Sequence, residues 1–193
     1  ELSVQCVIKG INLAMNKHID ALVTAPICKE AILLGGYGYP GHTEMLHTFS
    51  GVERVVMLMA GGKLRVAFAT THIAIKDVPQ SITTEGILGT ITICNEGLKQ
   101  YYGLKRPRIA VCGLNPHAGE EGIFGDEERK LIIPAIEKAR KKGIHCDGPV
   151  SADTVFYKAL KGAHDLVIAM YHDQGAIPLK LHAFETGVNI TLG

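Results

Sequence analysis

The segments LRVAFATTH (residues 64–72), RIAVCGLNPH (108–117) and DLVIAMYH (165–172) share one pattern, an apolar run that ends in a turn carrying a histidine. Short apolar runs of this kind are typical of strands that are buried on both faces. Segments with helical periodicity separate them, and alternating strands and helices predict a mainly parallel sheet. We therefore expect an α/β fold in which helices cover such a sheet.

The three histidines of this pattern, His72, His117 and His172, form a candidate metal site. Ligands of open α/β sheets bind outside the carboxyl ends of the strands, so side chains that follow different strands can converge there. Three imidazoles around one divalent ion leave a coordination position open for chemistry. The alternative is that three of the nine histidines fall in loops by chance. We predict the metal site.

The composition places the chain among ordinary globular proteins, with 47% hydrophobic and 20% charged residues in a length of 193. A net charge of +1 gives no electrostatic footprint for nucleic acid or an anionic membrane, and no apolar run is long enough to span a bilayer. The five cysteines include no CxxC pair, which favours a reducing cytoplasm. The chain begins without Met and stops directly after VNITLG, so we expect a piece of a longer protein.

Periodicity and turn signals predict the elements along the chain. The predicted helices span 2–18, 28–35, 43–49, 81–102, 126–142 and 153–161, and the predicted strands span 21–25, 54–59, 64–70, 108–113, 165–170 and 187–192. Gly61 and Gly62 predict a hairpin between two of the strands. Pro134 should kink or split its helix, whose acidic start and basic end complement the helix dipole.

The sequence YPGHTE (residues 39–44) is a candidate anion site. Gly41 permits an unusual backbone conformation and Thr43 can cap the following helix, whose first N–H groups favour a phosphate or a carboxylate. His42 and Thr43 would then hold the anion, although a plain helix cap is an equally good interpretation. The overlapping GYGYPG (36–41) matches G-x-G-x-x-G, but a predicted helix precedes it and Pro40 stiffens its centre. We therefore reject it as a dinucleotide fingerprint.

The loop GLNPHAGEEGIFGDEE (113–128) is long and rich in glycine, which lets a backbone approach a ligand closely. Its Glu120 and Glu121 could bind metal, but we favour solvent exposure. In MYHDQGAIPLK (170–180), Asp173 and Gln174 could orient the preceding histidine.

Eight motifs, taken together and in order, resemble the 4-hydroxythreonine-4-phosphate dehydrogenase family of vitamin B6 biosynthesis over essentially the whole chain: TAPICKE, YPGHTE, TTHI, GLNPHAGE, SADT, AMYHDQG, PLK and GVNITLG. The resemblance implies a three-layer α/β/α architecture of the isocitrate/isopropylmalate dehydrogenase-like type, with two domains around a cleft, assembled as a homodimer. Residues 1–25 would then be the remainder of the first domain or an interdomain helix and strand, and 26–193 the metal- and substrate-binding domain.

The resemblance also implies residue roles. A divalent metal, zinc first and magnesium or cobalt as alternatives, would be bound at the dimer interface by histidines from two subunits, at His72, His117 and His172. The phosphorylated substrate would be contacted by His42, Thr43, Lys180 and Asn189. Two features depart from the family: Cys28 stands where Asn is common, and the chain stops before a substrate-binding arginine.

The implied reaction is the oxidation of 4-phosphooxy-L-threonine by NAD or NADP to a 3-keto acid, which decarboxylates to 3-amino-2-oxopropyl phosphate. A related dehydrogenase of D-threonate or D-erythronate 4-phosphate is the first alternative, and a metal hydrolase with three histidine ligands is an alternative of another class. The proton acceptor would be Asp153 or a metal-linked water, although Asp153 is also interpreted as a helix N-cap.

Overall fold

The three histidine-bearing segments form neighbouring strands inside a six-stranded sheet with the order β4-β3-β5-β2-β1-β6. The strands are β1 (Val56–Gly61), β2 (Leu64–Phe68), β3 (Ile109–Cys112), β4 (Cys146–Val150), β5 (Leu166–Ala169) and β6 (Val188–Leu192). Every residue of β3 and β5 is buried, which explains why their sequences are apolar without alternation.

The sheet is mainly parallel, as the sequence predicts. Strands β2, β5, β3 and β4 pair in parallel, whereas β1 runs antiparallel to both β2 and β6. The predicted hairpin is confirmed, because β1 turns directly into β2 with Gly61 opposite Leu64. The computed structural model that gives these pairings describes residues 2–39 and 41–193, so Glu1 and Pro40 lie outside it.

Eight α-helices lie in the described residues. They are α1 (Leu2–Met15), α2 (Lys29–Leu34), α3 (His42–Ser50), α4 (Val78–Ser81), α5 (Thr84–Tyr102), α6 (Ile133–Lys141), α7 (Ala152–Leu160) and α8 (His172–Ala183). By contacts the chain divides into two compact units, residues 1–55 and 56–193. The division into residues 1–25 and 26–193, which the family resemblance implies, refers to the domains of a longer protein. It stays a prediction.

Helices cover both faces of the sheet, so the unit 56–193 has the predicted three layers. Alternate residues of β3 point to opposite cores: Ile109 and Val111 pack with α5 and α6, and Ala110 and Cys112 pack with α7 and α8. Helix α8 approaches the sheet closely at Gly175, where an added Cβ would lie 2.5 Å from Cγ1 of Val66. A larger residue there would push the helix off the sheet.

The unit 1–55 is a small helical body with its own core, formed by Val4, Val7, Ile11, Ile32 and Met45. The predicted strand at 21–25 is wrong. The described part of this unit contains no strand with which it could pair, and Val23 is 95% exposed. Apolar character alone does not make a strand when no sheet edge is available.

Strand β4 and helices α4 and α8 of the larger unit are not predicted from the sequence. Strand β4 contains Asp147, Gly148 and Pro149, residue types that are depleted in strands, and it is tolerated because it lies at the edge of the sheet. Helix α8 contains Pro178, a residue that disfavours a helix interior, and the sequence analysis assigns no element to residues 172–183. The predicted helix 126–142 is split into a π-helix (Glu128–Ile132) and α6, and Pro134 lies in the first turn of α6, in agreement with the prediction.

A bidentate ion pair joins the neighbouring strands β3 and β5 where they begin. Arg108 precedes β3 and donates from Nε and Nη2 to Asp165, which precedes β5, at 3.1 and 2.8 Å. The backbone N–H of Arg108 adds a third bond of 2.8 Å. The hydrogen bond from Arg108 holds the pKa of Asp165 below its usual value, against the opposing effect of burial.

We expect the substitution Asp165→Asn to lower the free energy of unfolding by about 1–3 kcal/mol at pH 7, because charge-assisted bonds are lost. Since the folded-state pKa of Asp165 is depressed, its stabilisation is present above the unfolded pKa of about 3.9 and is lost as the pH falls through the folded value. Urea unfolding at pH 7 and at pH 3 measures the loss of unfolding free energy and its dependence on pH. The exposed Asp77→Asn is the control, and an equal deficit at both pH values would contradict the assignment.

Candidate active site at the carboxyl end of the sheet

The three candidate metal ligands all follow strands that end side by side. Strands β2, β5 and β3 are parallel neighbours in that order, so their carboxyl ends meet at one end of the sheet. His72 lies shortly after β2, His172 begins α8 after β5, and His117 lies in the turn after β3. The parallel topology thus brings these three turns to the same end of the sheet, as the sequence predicts.

His72 and His172 lie close together beside a cavity. Their ring centroids are 5.5 Å apart with the planes inclined at 41°. The ring of Phe68, the last residue of β2, stacks on His172 at 5.7 Å and limits its movement. The cavity has a volume of about 240 Å³ and is lined by Thr71, His72, Ile73, Ile75, Val78, Tyr171, His172 and Asp173.

Asp173 orients the imidazole of His172. Oδ1 of Asp173 lies 2.7 Å from Nδ1 of His172. A proton on Nδ1 donates to this carboxylate and leaves the lone pair on Nε2, which is the arrangement that carboxylates impose on metal-binding histidines. The contact that the prediction requires between Asp173 and His172 is present, and the orienting role itself stays a prediction.

Gln174 has a different role from the predicted one. It accepts a hydrogen bond from the backbone N–H of Met170 at 2.7 Å and donates to the carbonyl oxygen of Gly113 at 2.8 Å. The carbonyl of Met170 in turn accepts from Oγ1 of Thr70 at 2.7 Å. These bonds join the carboxyl ends of β2, β5 and β3, so Gln174 sets the spacing of the histidine turns rather than the orientation of one ring.

His117 lies in an unusual backbone segment, the His117 turn (Pro116–Gly122). Five consecutive residues, 117 to 121, have positive φ angles of 53°, 57°, 83°, 41° and 56°. For residues other than glycine, left-handed backbone costs roughly 1–2 kcal/mol each. Such strain persists only where the surroundings determine it, and it concentrates at functional sites.

Asp153 faces His117 from the start of α7. Its Oδ2 lies 4.0 Å from Nδ1 of His117, and both side chains are exposed. Oγ of Ser151 donates to Oδ1 of Asp153 at 2.6 Å. The interpretation of Asp153 as a helix N-cap is wrong, because α7 begins at Ala152 and Ser151 occupies the cap position. The carboxylate is thus bonded to Ser151 through Oδ1 and faces the imidazole through Oδ2.

Glu128 is a site residue that the sequence analysis missed. The residue is 2% exposed. Its carboxylate accepts hydrogen bonds from the backbone N–H groups of Leu114 and Asn115, both at 2.8 Å, and from Nδ2 of Asn115 at 2.9 Å. The same Nδ2 donates to Glu127 and lowers the pKa of that carboxyl. In sequence Glu128 is only one of several acids at a helix start, and no spacing pattern connects it with the loop.

The imidazole donors suit a zinc ion, and the structure brings two of the three predicted ligands together. Within one chain, the described residues contain no group of three or more His, Cys, Asp or Glu side chains that could hold a metal ion. His72 and His172 form a pair, whereas His117 lies against Asp153 and Phe124. The two paired imidazoles fit as part of a ligand set. Glu120 and Glu121 are exposed, as expected.

His42 and Thr43 begin helix α3 in the unit 1–55. The cap position is occupied by Gly41 and no side chain caps the helix, so the predicted capping by Thr43 is wrong. Nε2 of His42 is buried and, among the described residues, has no hydrogen-bond partner, which leaves a donor or acceptor available for a ligand. Residues 36–39 follow helix α2 rather than a strand, as the rejection of a dinucleotide fingerprint requires.

The other two predicted substrate contacts lie in the unit 56–193. Lys180 is exposed on α8, the helix that begins at His172. Asn189 is exposed on β6, where it pairs with Met59 of β1.

None of the helices in residues 2–39 and 41–193 is both long and apolar enough to cross a bilayer.

Comparison with known proteins identifies the family. The profile of the pyridoxal phosphate biosynthetic protein PdxA family matches residues 1–193. The chain belongs to this family. It is 51% identical over 189 residues to 4-hydroxythreonine-4-phosphate dehydrogenase of Geobacter metallireducens, covering 98% of this chain and 56% of that protein. It is 47% identical over 193 residues to D-threonate 4-phosphate dehydrogenase of Salmonella typhimurium, covering 100% of this chain and 59% of that one.

The same relationship appears in three dimensions. The crystal structure of 4-hydroxythreonine-4-phosphate dehydrogenase from Klebsiella pneumoniae superposes with a TM-score of 0.93 at 44% identity, over 98% of this chain and 57% of that chain. The predicted isocitrate/isopropylmalate dehydrogenase-like fold of the PdxA family is therefore confirmed. This chain spans somewhat more than half the length of the relatives that it matches.

We expect the substitution Gln174→Ala to lower the free energy of unfolding by about 1–3 kcal/mol, because the buried N–H of Met170 and carbonyl of Gly113 lose their partner. Urea unfolding followed by circular dichroism measures the change. The matched control is Gln100→Ala on the exposed face of α5, which should shift the midpoint little. Equal midpoints for the two variants would show that the bridge contributes nothing.

Proposed function

We propose that this PdxA-family chain forms the metal- and substrate-binding part of a nicotinamide-dependent dehydrogenase that oxidises the secondary alcohol of a phosphorylated four-carbon hydroxy acid. The observation that carries the proposal is the set of three histidine turns at the carboxyl end of one sheet, in a chain matched by the family profile over residues 1–193. The favoured substrate is 4-phosphooxy-L-threonine, with 3-amino-2-oxopropyl phosphate as the product after decarboxylation.

One alternative substrate class has specific support. The relatives with the favoured name and those named D-threonate 4-phosphate dehydrogenase have similar identities to this chain, 51% and 47%. D-threonate and D-erythronate 4-phosphates carry the same phosphate and the same kind of secondary alcohol. The residues proposed to bind the phosphate do not distinguish these compounds from 4-phosphooxy-L-threonine. The substrate class therefore has to be decided by comparing the activities toward these compounds.

We propose that His72, His117 and His172 bind a divalent metal, zinc in preference to magnesium or cobalt, because imidazole nitrogen suits zinc. The contact between His172 and Asp173 supports this role, since it leaves Nε2 free. We further propose that the ligand set is completed at a homodimer interface by a histidine of a second copy. When bound, the metal supplies Lewis acidity toward the substrate alcohol and NAD or NADP supplies the hydride acceptor.

The chain's own residues would bind and orient the substrate. His42, Thr43, Lys180 and Asn189 are proposed to contact it, with the phosphate as the main anchor. Binding energy from this remote group holds the reacting carbon in position and so contributes to the rate. Asp153 is the proposed proton acceptor, and its exposed carboxylate beside His117 supports this role.

The cytoplasm is the proposed location, a view supported by the absence of a disulfide among the five described cysteines.

We expect His117→Ala to abolish metal-dependent activity and to weaken zinc binding strongly, while the fold is retained because His117 is exposed. Zinc content, determined by elemental analysis after dialysis, and circular dichroism measure the two effects in the natural full-length protein. His145→Ala, which removes an exposed histidine outside the site, is the control. Normal turnover in a metal-depleted His117→Ala protein would contradict the proposal.

The substrate assignment predicts that NADH or NADPH absorbance will grow with 4-phosphooxy-L-threonine and with metal present. The assay compares this compound with D-threonate 4-phosphate and D-erythronate 4-phosphate, using kcat/KM for each. The largest kcat/KM for 4-phosphooxy-L-threonine would support the favoured reading. Preference for a sugar-acid phosphate would transfer the assignment to that class, and phosphate release without a cofactor would replace the dehydrogenase by a metal hydrolase.

A further inference from the structure

Glu128 is a buried carboxylate that the proposed reaction does not use. It lies in the π-helix at the start of the 128–141 helical segment, and only 2% of its surface is exposed. Burying an unpaired carboxylate is costly, so its three hydrogen bonds from Leu114 and Asn115 explain how it can be kept there. All three donors belong to the loop that leads from β3 to His117.

The same carboxylate also lies against the loop on the other side of His117. A Cβ added at Gly119 would lie 2.6 Å from Oε2 of Glu128, so the glycine packs directly on the carboxylate. Gly119 has a φ of +83° and is buried, in the middle of the left-handed residues. Glu128 therefore contacts residues 114 and 115 before the histidine and residue 119 after it.

We propose that Glu128 is a positioning residue that holds the His117 turn in its left-handed conformation and so directs the His117 imidazole to the metal. The part of the inference that concerns the metal rests on the proposed function. The part that concerns the contact between Glu128 and the His117 turn is independent of it. Left-handed residues other than glycine persist only where their surroundings determine them. One carboxylate contacts the chain directly before this run, at Leu114 and Asn115, and again at its middle residue, Gly119. The charge is required because a carboxylate accepts all three N–H bonds, whereas an amide places its own N–H₂ against Nδ2 of Asn115.

The test uses two variants that break the same contact from opposite sides, in the natural full-length protein. Glu128→Gln removes the charge with little change of shape. Gly119→Ala leaves Glu128 intact but introduces a Cβ at a positive φ and against Oε2. Glu137→Gln removes an exposed carboxylate from the same helical segment and is the matched control.

Two measurements are made on folded protein, as judged by circular dichroism. Zinc affinity, from competition with a chromophoric chelator, should fall about tenfold or more in both variants and stay unchanged in the control, as for other residues that support metal ligands. In the metal-free protein, hydrogen exchange of the amides at 114–122 should accelerate in both variants, whereas exchange in β3 should not. A purely structural role would accelerate exchange in β3 as well.

The outcomes separate this inference from the proposed function. Wild-type zinc affinity and wild-type exchange at 114–122 in a folded Glu128→Gln or Gly119→Ala protein would overturn it. Faster exchange with unchanged zinc affinity would also overturn it, because the turn would then not position a ligand. If the unsubstituted protein binds no zinc, the proposed metal site and the role of Glu128 toward it both fail, and the exchange data still decide whether Glu128 holds the turn.

Discussion

The hydrogen bonds made by Gln174 are the interaction on which the rest of the site depends. A parallel sheet brings strand ends to one side of the molecule but leaves the turns beyond them without ladder partners. Gln174 bridges the two backbone groups that would otherwise be orphaned there, the N–H of Met170 and the carbonyl of Gly113. The pair of Arg108 with Asp165 fixes the same two strands where they begin. Strands β3 and β5 are therefore locked at both ends, and the turns that follow them start from fixed points.

From these fixed points the histidines are held in different ways. His172 is the first residue of a helix, is stacked by Phe68 and is bonded to Asp173. His117 is carried by a strained turn whose conformation depends on contacts made elsewhere in the chain. Strain of this kind is retained only when neighbouring contacts outweigh it, and the buried carboxylate of Glu128 lies where such contacts are needed. The support of the two histidines therefore differs, although both follow parallel, buried strands of the same sheet.

The sequence predicts the centre of this fold well and its margins poorly, for a physical reason. Strands β3 and β5 are apolar throughout because they are buried on both faces. An unbroken apolar run of this kind can be recognised from the local sequence alone. Strand β4 and helix α8 contain Pro149 and Pro178, and they exist because of packing: β4 lies at a sheet edge, and α8 fits against the sheet through Gly175. The false strand at 21–25 is the converse case, an apolar run without a partner.

The same limit applies to the site. The positions of the three histidines follow from one topological rule, which needs only the strand assignments. The supporting residues cannot be found in this way, because Gln174 and Glu128 bind mainly backbone groups, and a backbone N–H or carbonyl carries no sequence signal. Gln174 reaches across 61 positions to Gly113, and Glu128 reaches back 14 positions to Leu114. The end of the sheet at which these histidines lie is therefore within reach of sequence reasoning, whereas the groups that hold their turns in place become visible only when the folded backbone shows which amides would otherwise lack partners.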